Sequence, residues 1–348
     1  MDTILLTGGL GYIGSHTCLN LLSLKYKVII FDSLINSSIE TLNRIRTLGS
    51  HYEKYSPNRL VFIKGDIRNY YDLKKTFKNA RDNNNKINAV IHLAALKSVF
   101  DSQKNPELYK DVNLNGTEIL LKVMEENDCY SLIFSSSATV YGDNDKEILT
   151  EKNKCKPNNN YGQTKLDVEK ILAKKYNTSN KKWKIINLRY FNPIGAHPSG
   201  ILGEENFNSS TNLFPLLCKA ISKNKKFKIY GNDWNTADGT CIRDFVDIMD
   251  IAKGHSDALK YMKKNKSINL SINLGSGNGT SILKFINVFQ ETLNIKLDYK
   301  FIERREGDVA RYVASNQLAK ELLNWEPNCS LKDMCLDGWR WYISNNNI

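Results

Sequence analysis

"LLTGGLGYIGSHTCLNLLSL", residues Leu5–Leu24, decides the fold. An apolar run, expected to form a strand over Thr3–Thr7, leads into a glycine-rich turn. An expected helix over Gly14–Leu24 follows that turn. A strand, a glycine turn and a helix in this order make up the start of a unit that binds dinucleotides. The stretch therefore predicts the opening of a dinucleotide-binding domain.

Three glycines in the turn are spaced three residues apart, at Gly8, Gly11 and Gly14. Residues without a Cβ let the chain turn tightly, let a pyrophosphate approach the backbone and let the helix pack closely on the strand. The backbone N–H groups at the helix start, around Tyr12 and Ile13, can then hold phosphate oxygens. The spacing predicts a phosphate-binding turn rather than a simple change of chain direction.

Acidic and small residues follow three other predicted strands. Asp32 ends the strand expected over Lys27–Phe31, where a carboxylate binds a ribose 2′-hydroxyl and repels a 2′-phosphate, so NAD is favoured over NADP. Asp66 and Ile67 follow a later strand, in position to contact the adenine. The segment Leu93–Lys97 ends another strand with small residues. Ligands bind at the carboxyl ends of parallel strands, so we expect all of these at one pocket.

Strands and helices alternate along the first half of the chain. This alternation predicts right-handed βαβ units and a parallel, doubly wound α/β sheet of the Rossmann type. From about Phe191 the strands become shorter and Gly, Asn and Pro more frequent, which predicts a smaller α/β domain. We expect an NAD-binding domain over 1–190 and a substrate domain over 191–348, with some segments interleaved. The other expected strands are Leu60–Lys64, Ala89–Leu93, Leu132–Ser135 and Lys184–Leu188, and the other expected helices are Val112–Glu126 and Tyr161–Tyr176.

The composition is that of an ordinary globular enzyme, with 348 residues, 41% hydrophobic and 25% charged. The net charge of +12 comes from short, separated lysine runs, which indicate solvated faces rather than a nucleic-acid surface, and no aromatic-basic motif supports nucleic-acid binding. The sequence has no apolar run of membrane-spanning length and no secretory signal pattern. Seven scattered cysteines match no zinc pattern. We expect a cytoplasmic protein without a metal site or disulfides, and without a membrane partner.

Tyr161 and Lys165 carry the chemistry, together with Ser137 in the stretch Ser135-Ser136-Ser137. The tyrosine and lysine are four residues apart at the start of a helix, so they share a face. An ammonium group beside a phenol lowers the pKa of the tyrosine, and the helix N-terminus adds positive charge. A phenol tuned in this way can take a proton from a sugar hydroxyl and return it. Ser137 is expected to hydrogen-bond the same hydroxyl.

The whole chain resembles the UDP-glucose 4-epimerases, which are extended short-chain dehydrogenases/reductases. The matching stretches run in family order and are "TGGLGYIGSHT", "GDIRN", "VIHLAALKSV", "FSSSATVYGD", "YGQTK", "LRYFNPIGAHPSG", "GNDWNTADGTCIRDFV" and "RREGDVARYVA". The resemblance implies reversible epimerisation of UDP-galactose and UDP-glucose at C4, in galactose metabolism, through a transient 4-keto sugar and tightly bound NAD. Tyr161 is then the proton acceptor and donor, Ser137 orients the hydroxyl and relays the proton, and Lys165 lowers the tyrosine pKa and holds the nicotinamide ribose.

The resemblance also assigns the binding residues and makes 191–348 a UDP-sugar-binding domain. The NAD contacts are Gly8, Gly11, Tyr12, Ile13, Gly14, Asp32, Asn36, Ser37, Asp66, Ile67, Leu93, Ala94, Ala95, Lys97, Asn113, Ser135, Tyr161, Lys165 and Tyr190. The substrate contacts are Lys97, Ser137, Tyr161, Phe191, Asn192, Asn212, Leu213, Tyr230, Arg243, Arg305, Asp308 and Tyr312. A bulky residue at Tyr312 implies poor use of N-acetylated UDP-sugars. A homodimer through Val112–Glu126 and Tyr161–Tyr176 is also implied.

Two other functions remain as alternatives at this point. Another NAD-dependent nucleotide-sugar epimerase or a dehydratase would begin with the same oxidation. A dehydratase or lyase also needs an acidic pair before "VYG", where this chain has Ala138 and Thr139. A non-catalytic NAD-binding module would not need Tyr161, Lys165 and Ser137 together. The residues therefore favour the epimerase.

Overall fold

The fold was analysed in a computed structural model that describes residues 1–53, 55–144, 146–205, 212–305 and 307–346. The strands in that part of the chain are β1 Thr3–Thr7, β2 Lys27–Asp32, β3 Leu60–Lys64, β4 Ile87–His92, β5 Ser131–Ser137, β6 Lys184–Tyr190, β7 Asn192–Ile194, β8 Phe227–Tyr230, β9 Ile242–Asp247, β10 Ile268–Leu274, β11 Gly279–Ser281, β12 Tyr299–Ile302 and β13 Arg311–Tyr312. The helices are α1 Tyr12–Ser23, α2 Ile39–Gly49, α3 Tyr70–Asp82, α4 Val99–Lys104, α5 Pro106–Lys110, α6 Gly116–Glu126, α7 Asn160–Thr178, α8 Leu213–Ser222, α9 Ile248–Lys264, α10 Ile282–Leu293, α11 Gln317–Leu323 and α12 Leu331–Asn346.

Seven strands form one fully parallel sheet in the order β10-β6-β5-β4-β1-β2-β3. Neighbouring residues of β1 face opposite sides of it: Leu6 joins the apolar cluster with α1, α2 and α9, and Leu5 joins the cluster with α3, α6 and α7. Because helices cover both faces of β1, all five of its residues are buried, and the three central ones, Ile4–Leu6, are apolar. The predicted doubly wound α/β sheet is confirmed.

The chain order changes direction beside β1. β2 and β3 lie on one side of β1, and β4, β5 and β6 lie on the other. A crevice forms outside the carboxyl ends of the strands where the order reverses, and ligands of such sheets bind there. The glycine turn after β1 is therefore placed at the binding crevice.

The second half of the chain builds smaller sheets and also completes the large one. β7, β9, β11 and β13 form a four-stranded sheet, and β8 pairs with β12. β10 is the edge strand beside β6, so Ile268–Leu274 belongs to the large sheet although it lies beyond residue 190. The expected boundary at residue 190 stays a prediction. The parallel pairing of β10 with β6 requires a crossover connection, which includes α9.

Several element ends differ from the expected ones. β5 and β6 continue two residues further, to Ser137 and Tyr190, because these residues still pair with each other across the sheet. The helix expected over Val112–Glu126 is a π-helical turn, Asp111–Asn115, followed by α6. Within the described residues, no helix is long and apolar enough to span a membrane.

Candidate active site

The glycine turn has the shape that a dinucleotide phosphate requires. Gly8 has a φ of +68°, and a Cβ there would lie 2.6 Å from the backbone nitrogen of Ala94. A Cβ on Gly14 would lie 2.3 Å from the carbonyl oxygen of Gly8, so the helix can approach the strand only with glycine at this position. Gly11 is the N-cap of α1, which begins at Tyr12, two residues earlier than expected. The amides of Tyr12 and Ile13 therefore lie in the first helical turn, where N–H groups have no intrahelical acceptor.

Asp32 ends β2 beside this turn. One carboxylate oxygen accepts the backbone N–H of Leu10 at 3.0 Å. The other accepts the N–H of Leu34 at 3.0 Å and the hydroxyl of Ser37 at 2.7 Å. These bonds fix the carboxylate at the crevice, in the loop that also carries Asn36. The predicted ribose-binding position is thus rigid and negatively charged.

Asp66 forms an ion pair with a basic residue that was not among the predicted site residues. Its carboxylate forms a 2.7 Å ion pair with Arg68, which also pairs with Asp111 at 2.8 Å. Hydrogen bonding from Arg68 lowers the pKa of Asp66. Ile67 is buried, and a Cβ on Gly116 would lie 2.6 Å from its side chain. Asp66 is therefore held as an anion, and Ile67 packs under the start of α6.

The loop after β4, which contains Leu93, Ala94, Ala95 and Lys97, is anchored by the buried Asn113. The Asn113 side chain accepts the N–H of Leu96 at 2.9 Å and donates to the carbonyl of Leu96 at 3.1 Å and to the hydroxyl of Thr164 at 3.0 Å. Asn113 lies in the π-helical turn Asp111–Asn115, and single π-helical turns within helices are frequent at functional sites. Asn113 thus ties the loop to α7, which carries the candidate catalytic pair.

Ser137 and Tyr161 meet at the carboxyl end of β5. Ser137 is the last residue of the strand and Tyr161 the second residue of α7, and interaction with the Ser137 side chain lowers the pKa of the Tyr161 phenol. The Thr139 hydroxyl donates to the Ser137 oxygen at 3.0 Å, which leaves the hydrogen of Ser137 for the phenol. Burial raises the pKa of Tyr161 to about 12. The structure thus brings the predicted acid–base pair together and adds Thr139 to it.

The expected lowering of the tyrosine pKa by Lys165 is wrong for the protein chain by itself. The ammonium group of Lys165 donates to the carbonyl of Ser135 at 2.7 Å and lies 5.7 Å from the centre of the Tyr161 ring. It also lies 4.9 Å from the centre of the Phe134 ring. Burial lowers the pKa of Lys165 to about 7. Desolvation by burial is the largest cause of both shifts.

Tyr190 ends β6 in register with Ser137. Its hydroxyl lies 2.6 Å from Nε2 of the buried His255 on α9, and interaction with the Ser135 side chain lowers its pKa. Burial raises the pKa of Tyr190. The sheet register thus places this phenol beside the strand end of Ser137.

Four of the predicted substrate residues cluster on the smaller sheets. Arg243 and Arg305 both approach the carboxylate of Asp308, at 3.5 and 2.9 Å. The guanidinium of Arg305 lies 5.5 Å from the centre of the Tyr230 ring. Two arginines, one carboxylate and one exposed aromatic ring can together bind a diphosphate, ribose hydroxyls and a base.

Tyr312 closes one side of this cluster. Its hydroxyl donates to the carbonyl of Gly142 at 2.6 Å, and its ring centre lies 6.0 Å from the guanidinium of Arg243. Phe191 and Tyr141 belong to one buried apolar cluster, and the partly buried Tyr312 packs against this cluster. The ring of Tyr312 is therefore held in place at the mouth of the site.

Glu204 was missed by the sequence analysis because nothing near it in the sequence marks a site. Its carboxylate lies 3.2 Å from the ammonium of Lys97 and 3.3 Å from the side-chain nitrogen of Asn212. Asn212 is the N-cap of α8, whose first residue is Leu213, and Asn192 begins β7. Glu204 thus connects the loop after β4 with the smaller domain.

A buried ion pair behind the catalytic helix was also missed. Glu169 on α7 pairs with Arg189 on β6 at 2.6 Å and accepts the Ser136 hydroxyl at 2.5 Å. Arg189 also donates to the hydroxyl of Tyr141 at 3.0 Å. The sequence signal that could have drawn attention to Glu169 is its position four residues after Lys165, which puts it on the same face of α7. In the described residues, no group of three or more His, Cys, Asp or Glu side chains has a metal-binding arrangement.

Known proteins are similar to this chain over nearly its whole length. The model of the family described as GDP-mannose 4,6 dehydratase matches residues 5–337. The UDP-glucose 4-epimerase of Bacillus subtilis (strain 168) is 40% identical over 345 residues, which are 99% of this chain and 98% of that protein. The bifunctional protein GAL10 of Pachysolen tannophilus is 41% identical over 352 residues, which are 99% of this chain but 49% of that protein.

A solved structure has the same fold over the whole chain. It is the UDP-glucose-4-epimerase from Stenotrophomonas maltophila with bound NAD and formylated UDP-arabinopyranose. It is 36% identical, has a TM-score of 0.93, and the match covers 100% of this chain and 99% of that one.

Proposed function

The chain belongs to the nucleotide-sugar family of the GDP-mannose 4,6 dehydratase model and, within it, to the UDP-glucose 4-epimerases, and we propose that Tyr161, Ser137 and Lys165 carry out its reaction. That reaction is the reversible epimerisation of UDP-galactose and UDP-glucose at C4, with NAD as the cofactor. The observation that carries the assignment is that Ser137, at the end of β5, and Tyr161, at the start of α7, come together at the carboxyl end of the sheet, where the Ser137 side chain acts on the pKa of Tyr161.

The residues present fit NAD. The turn at Gly8 and Gly14 has no room for side chains, the first amides of α1 face the crevice side of β1, and Asp32 offers a carboxylate rather than a cation to the ribose. When bound, NAD supplies the hydride acceptor and donor for the sugar C4. The residues that hold it are those of the glycine turn, of the β2 and β4 loops and of the strand ends at Ser135 and Tyr190.

Tyr161 takes and returns the proton of the sugar 4-hydroxyl. The Ser137 oxygen accepts the Thr139 hydroxyl, so the proton of the serine can be donated to the oxygen of Tyr161. Such donation stabilises the phenolate form of Tyr161, which accepts the proton of the sugar hydroxyl and becomes a phenol, and the phenol returns that proton in the reverse step. Lys165, held by the Ser135 carbonyl, adds positive charge on the same helix face.

The UDP group binds at the smaller sheets. Arg243 and Arg305 neutralise the pyrophosphate, since their guanidinium groups match phosphate oxygens in geometry. Asp308 lies between them and accepts the ribose hydroxyls, and the exposed ring of Tyr230 stacks on the uracil. With the uridine end fixed at these residues, the sugar is the part that can present either face at Tyr161.

A dehydratase or lyase reaction is not favoured, although the matching family model carries a dehydratase name. Elimination of water needs an acid and a base where this chain has Ala138 and Thr139. Ala138 has no titratable group, and Thr139 is hydrogen-bonded to Ser137. These two residues therefore support the epimerase.

The experiment is a coupled assay with purified protein and UDP-galactose, in which UDP-glucose dehydrogenase reports the UDP-glucose that forms. We expect UDP-glucose from the wild type and a loss of about 10²-fold or more in kcat for Tyr161→Phe. Tyr130→Phe is the control, because Tyr130 precedes β5 at the opposite end of the sheet. Absence of UDP-glucose from folded wild-type protein that holds NAD would overturn the assignment.

We also propose a homodimer in the cytoplasm. Phe100 and Leu108 on α4 and α5 are 59% and 47% exposed, and these helices lie against α7 beside α6. Exposed apolar side chains next to Val112–Glu126 and Tyr161–Tyr176 support a contact through these helices. All seven cysteines are free, in keeping with a reducing compartment. Light scattering should give the mass of two chains for the wild type and of one for Phe100→Asp/Leu108→Asp.

A further inference from the structure

The sheet order separates two halves of the crevice. Asp32 and Asp66 follow β2 and β3 on one side of β1. Ser137 and Tyr190 end β5 and β6 on the other side, and they are direct partners in the sheet register. A dinucleotide that lies across the glycine turn therefore has its adenosine half at β2 and its reacting half at β5 and β6. Tyr190 is thus a wall of the reacting half.

The hydroxyl of Tyr190 has a defined partner in His255. Nδ1 of His255 lies 2.9 Å from the carbonyl oxygen of Ile251, which can only accept, so Nδ1 carries the hydrogen. The Thr17 hydroxyl lies further away, at 3.4 Å from the same nitrogen. Burial lowers the pKa of His255 to about 4, so the ring is neutral at pH 7. Nε2 is then a lone-pair acceptor, and the Tyr190 hydroxyl donates to it at 2.6 Å.

The phenol of Tyr190 also lies beside β5. Interaction with the Ser135 side chain lowers the pKa of Tyr190 against the larger rise from burial, and the Ser135 carbonyl accepts the ammonium of Lys165. The ring of Tyr190 is therefore fixed between α9 and the strand that carries Ser137. Tyr190 is only 4% exposed and His255 0%, so water cannot replace the histidine without rearrangement.

We propose that His255 is a positioning residue, which holds the Tyr190 ring as a fixed wall for the reacting half of the dinucleotide. His255 acts through Tyr190 and from a helix that begins directly after β9, the strand of Arg243. Without the acceptor, a buried hydroxyl donor loses its partner, and the ring moves to find another. The inference rests on the proposed function for its kinetic readout, but NAD retention tests it independently.

Two substitutions test the roles of the two nitrogen atoms of the His255 ring separately. His255→Asn places an amide where Nδ1 lies and keeps the bond to Ile251, but it is too short to reach Tyr190. His255→Gln places its amide near Nε2 and can still accept from Tyr190. We expect His255→Asn to lower kcat and the retained NAD per chain by about three- to tenfold, with KM for UDP-galactose within about twofold of wild type. We expect His255→Gln to restore both values to within about twofold of wild type.

Leu259→Ala is the matched control, because Leu259 is buried on the same helix one turn further along. It should lower the melting temperature without changing kcat or retained NAD. Equal losses in Leu259→Ala and His255→Asn, or failure of His255→Gln to restore either value, would overturn the proposal. If His255→Asn does not fold, Tyr190→Phe breaks the same bond from the other end. Wild-type kcat and NAD content in Tyr190→Phe would then overturn it, and the same losses would support it.

These experiments distinguish a failure of the His255 proposal from a failure of the proposed function. If the wild type forms no UDP-glucose but retains NAD, the reaction assignment fails, while the NAD content of the His255 variants still decides the role of His255. If wild type and variants all turn over UDP-galactose equally and retain NAD equally, the reaction stands and the positioning role falls.

Discussion

The ammonium group of Lys165 lies 2.7 Å from the carbonyl oxygen of Ser135, while the ring centre of Tyr161 is 5.7 Å away. The strand carbonyl thus anchors the lysine behind the catalytic tyrosine. Burial lowers the pKa of Lys165 to about 7, so holding this charge inside the protein is unfavourable. A residue that destabilises the fold and is nevertheless anchored indicates a role in the reaction rather than in folding.

Lys165→Met tests this conflict between stability and activity. Removal of the charge should lower kcat by about 10²-fold, because the phenolate of Tyr161 loses its nearby cation. The melting temperature at pH 7 should stay the same or rise, because methionine is buried without a desolvation cost. The measurements are the coupled assay and a thermal melt. Lys170→Met, on the exposed face of α7, is the control, and wild-type kcat in Lys165→Met would contradict the assigned role.

Asp32→Ala tests the cofactor preference. The carboxylate that should hold the ribose 2′-hydroxyl and repel a 2′-phosphate is removed. We expect NAD retention to fall by about tenfold or more and the ratio of NADP to NAD binding to rise, as measured by titration with each dinucleotide. Ser37→Ala is the control, since it removes one hydrogen bond to Asp32 but keeps the charge. An unchanged NADP-to-NAD ratio in Asp32→Ala would contradict the assignment.

Tyr312 should set the range of substrates at the sugar C2. Its ring is fixed by the hydrogen bond to the Gly142 carbonyl, and we expect a bulky side chain held at this position to exclude an N-acetyl group. We expect poor turnover of UDP-N-acetylgalactosamine by the wild type and a gain of about tenfold in kcat/KM for Tyr312→Ser. Tyr312→Phe keeps the ring and should remain poor. Good turnover of the N-acetylated sugar by the wild type would refute this role.

Local pattern predicted the parts of this fold that depend on neighbours in sequence. The glycine turn, Asp32 and the strand Leu60–Lys64 were predicted because strand, turn and helix follow each other directly. The edge position of β10 was not predicted, since its partner β6 lies about 80 residues earlier and pairing depends on the whole sheet. The prediction that the pKa of Tyr161 is lowered was wrong for a related reason. Desolvation of the phenol depends on burial by segments that are distant in the sequence.

The buried pair of Glu169 and Arg189 predicts a large effect on stability. Both side chains are under 10% exposed and lie 2.6 Å apart, so Glu169→Gln leaves the buried arginine charge without its counter-ion. We expect a loss of about 3–5 kcal/mol in the free energy of unfolding, measured by chemical denaturation. Arg189→Met added to Glu169→Gln should recover part of it.

Glu125→Gln is the matched control for that pair. Glu125 pairs with Lys175 at 2.6 Å, but both side chains are about one-third exposed. The loss there should stay below about 1 kcal/mol. Equal losses in Glu169→Gln and Glu125→Gln would show that burial does not strengthen the first pair.

Asp247 predicts a pH dependence of stability. Burial raises the pKa of its carboxyl to about 7, from about 3.8 in an unfolded chain. The folded protein therefore binds the proton more tightly, so the stabilisation from this group is present below about pH 4 and is lost as the pH rises to 7. In the wild type, the Asp247 carboxylate caps α9 by accepting the N–H of Met249 at 2.7 Å. The asparagine of Asp247→Asn cannot ionise, but its side-chain oxygen can still accept this N–H.

The free energy of unfolding of Asp247→Asn relative to wild type should therefore rise by about 1–3 kcal/mol between pH 4 and pH 7.5. The measurement is urea denaturation of both proteins at four pH values across that range. Asp244, whose pKa burial also raises, is present in both proteins, so its effect cancels in the difference. Parallel curves for the two proteins would mean that Asp247 titrates at its ordinary pKa and that its burial does not hold the proton.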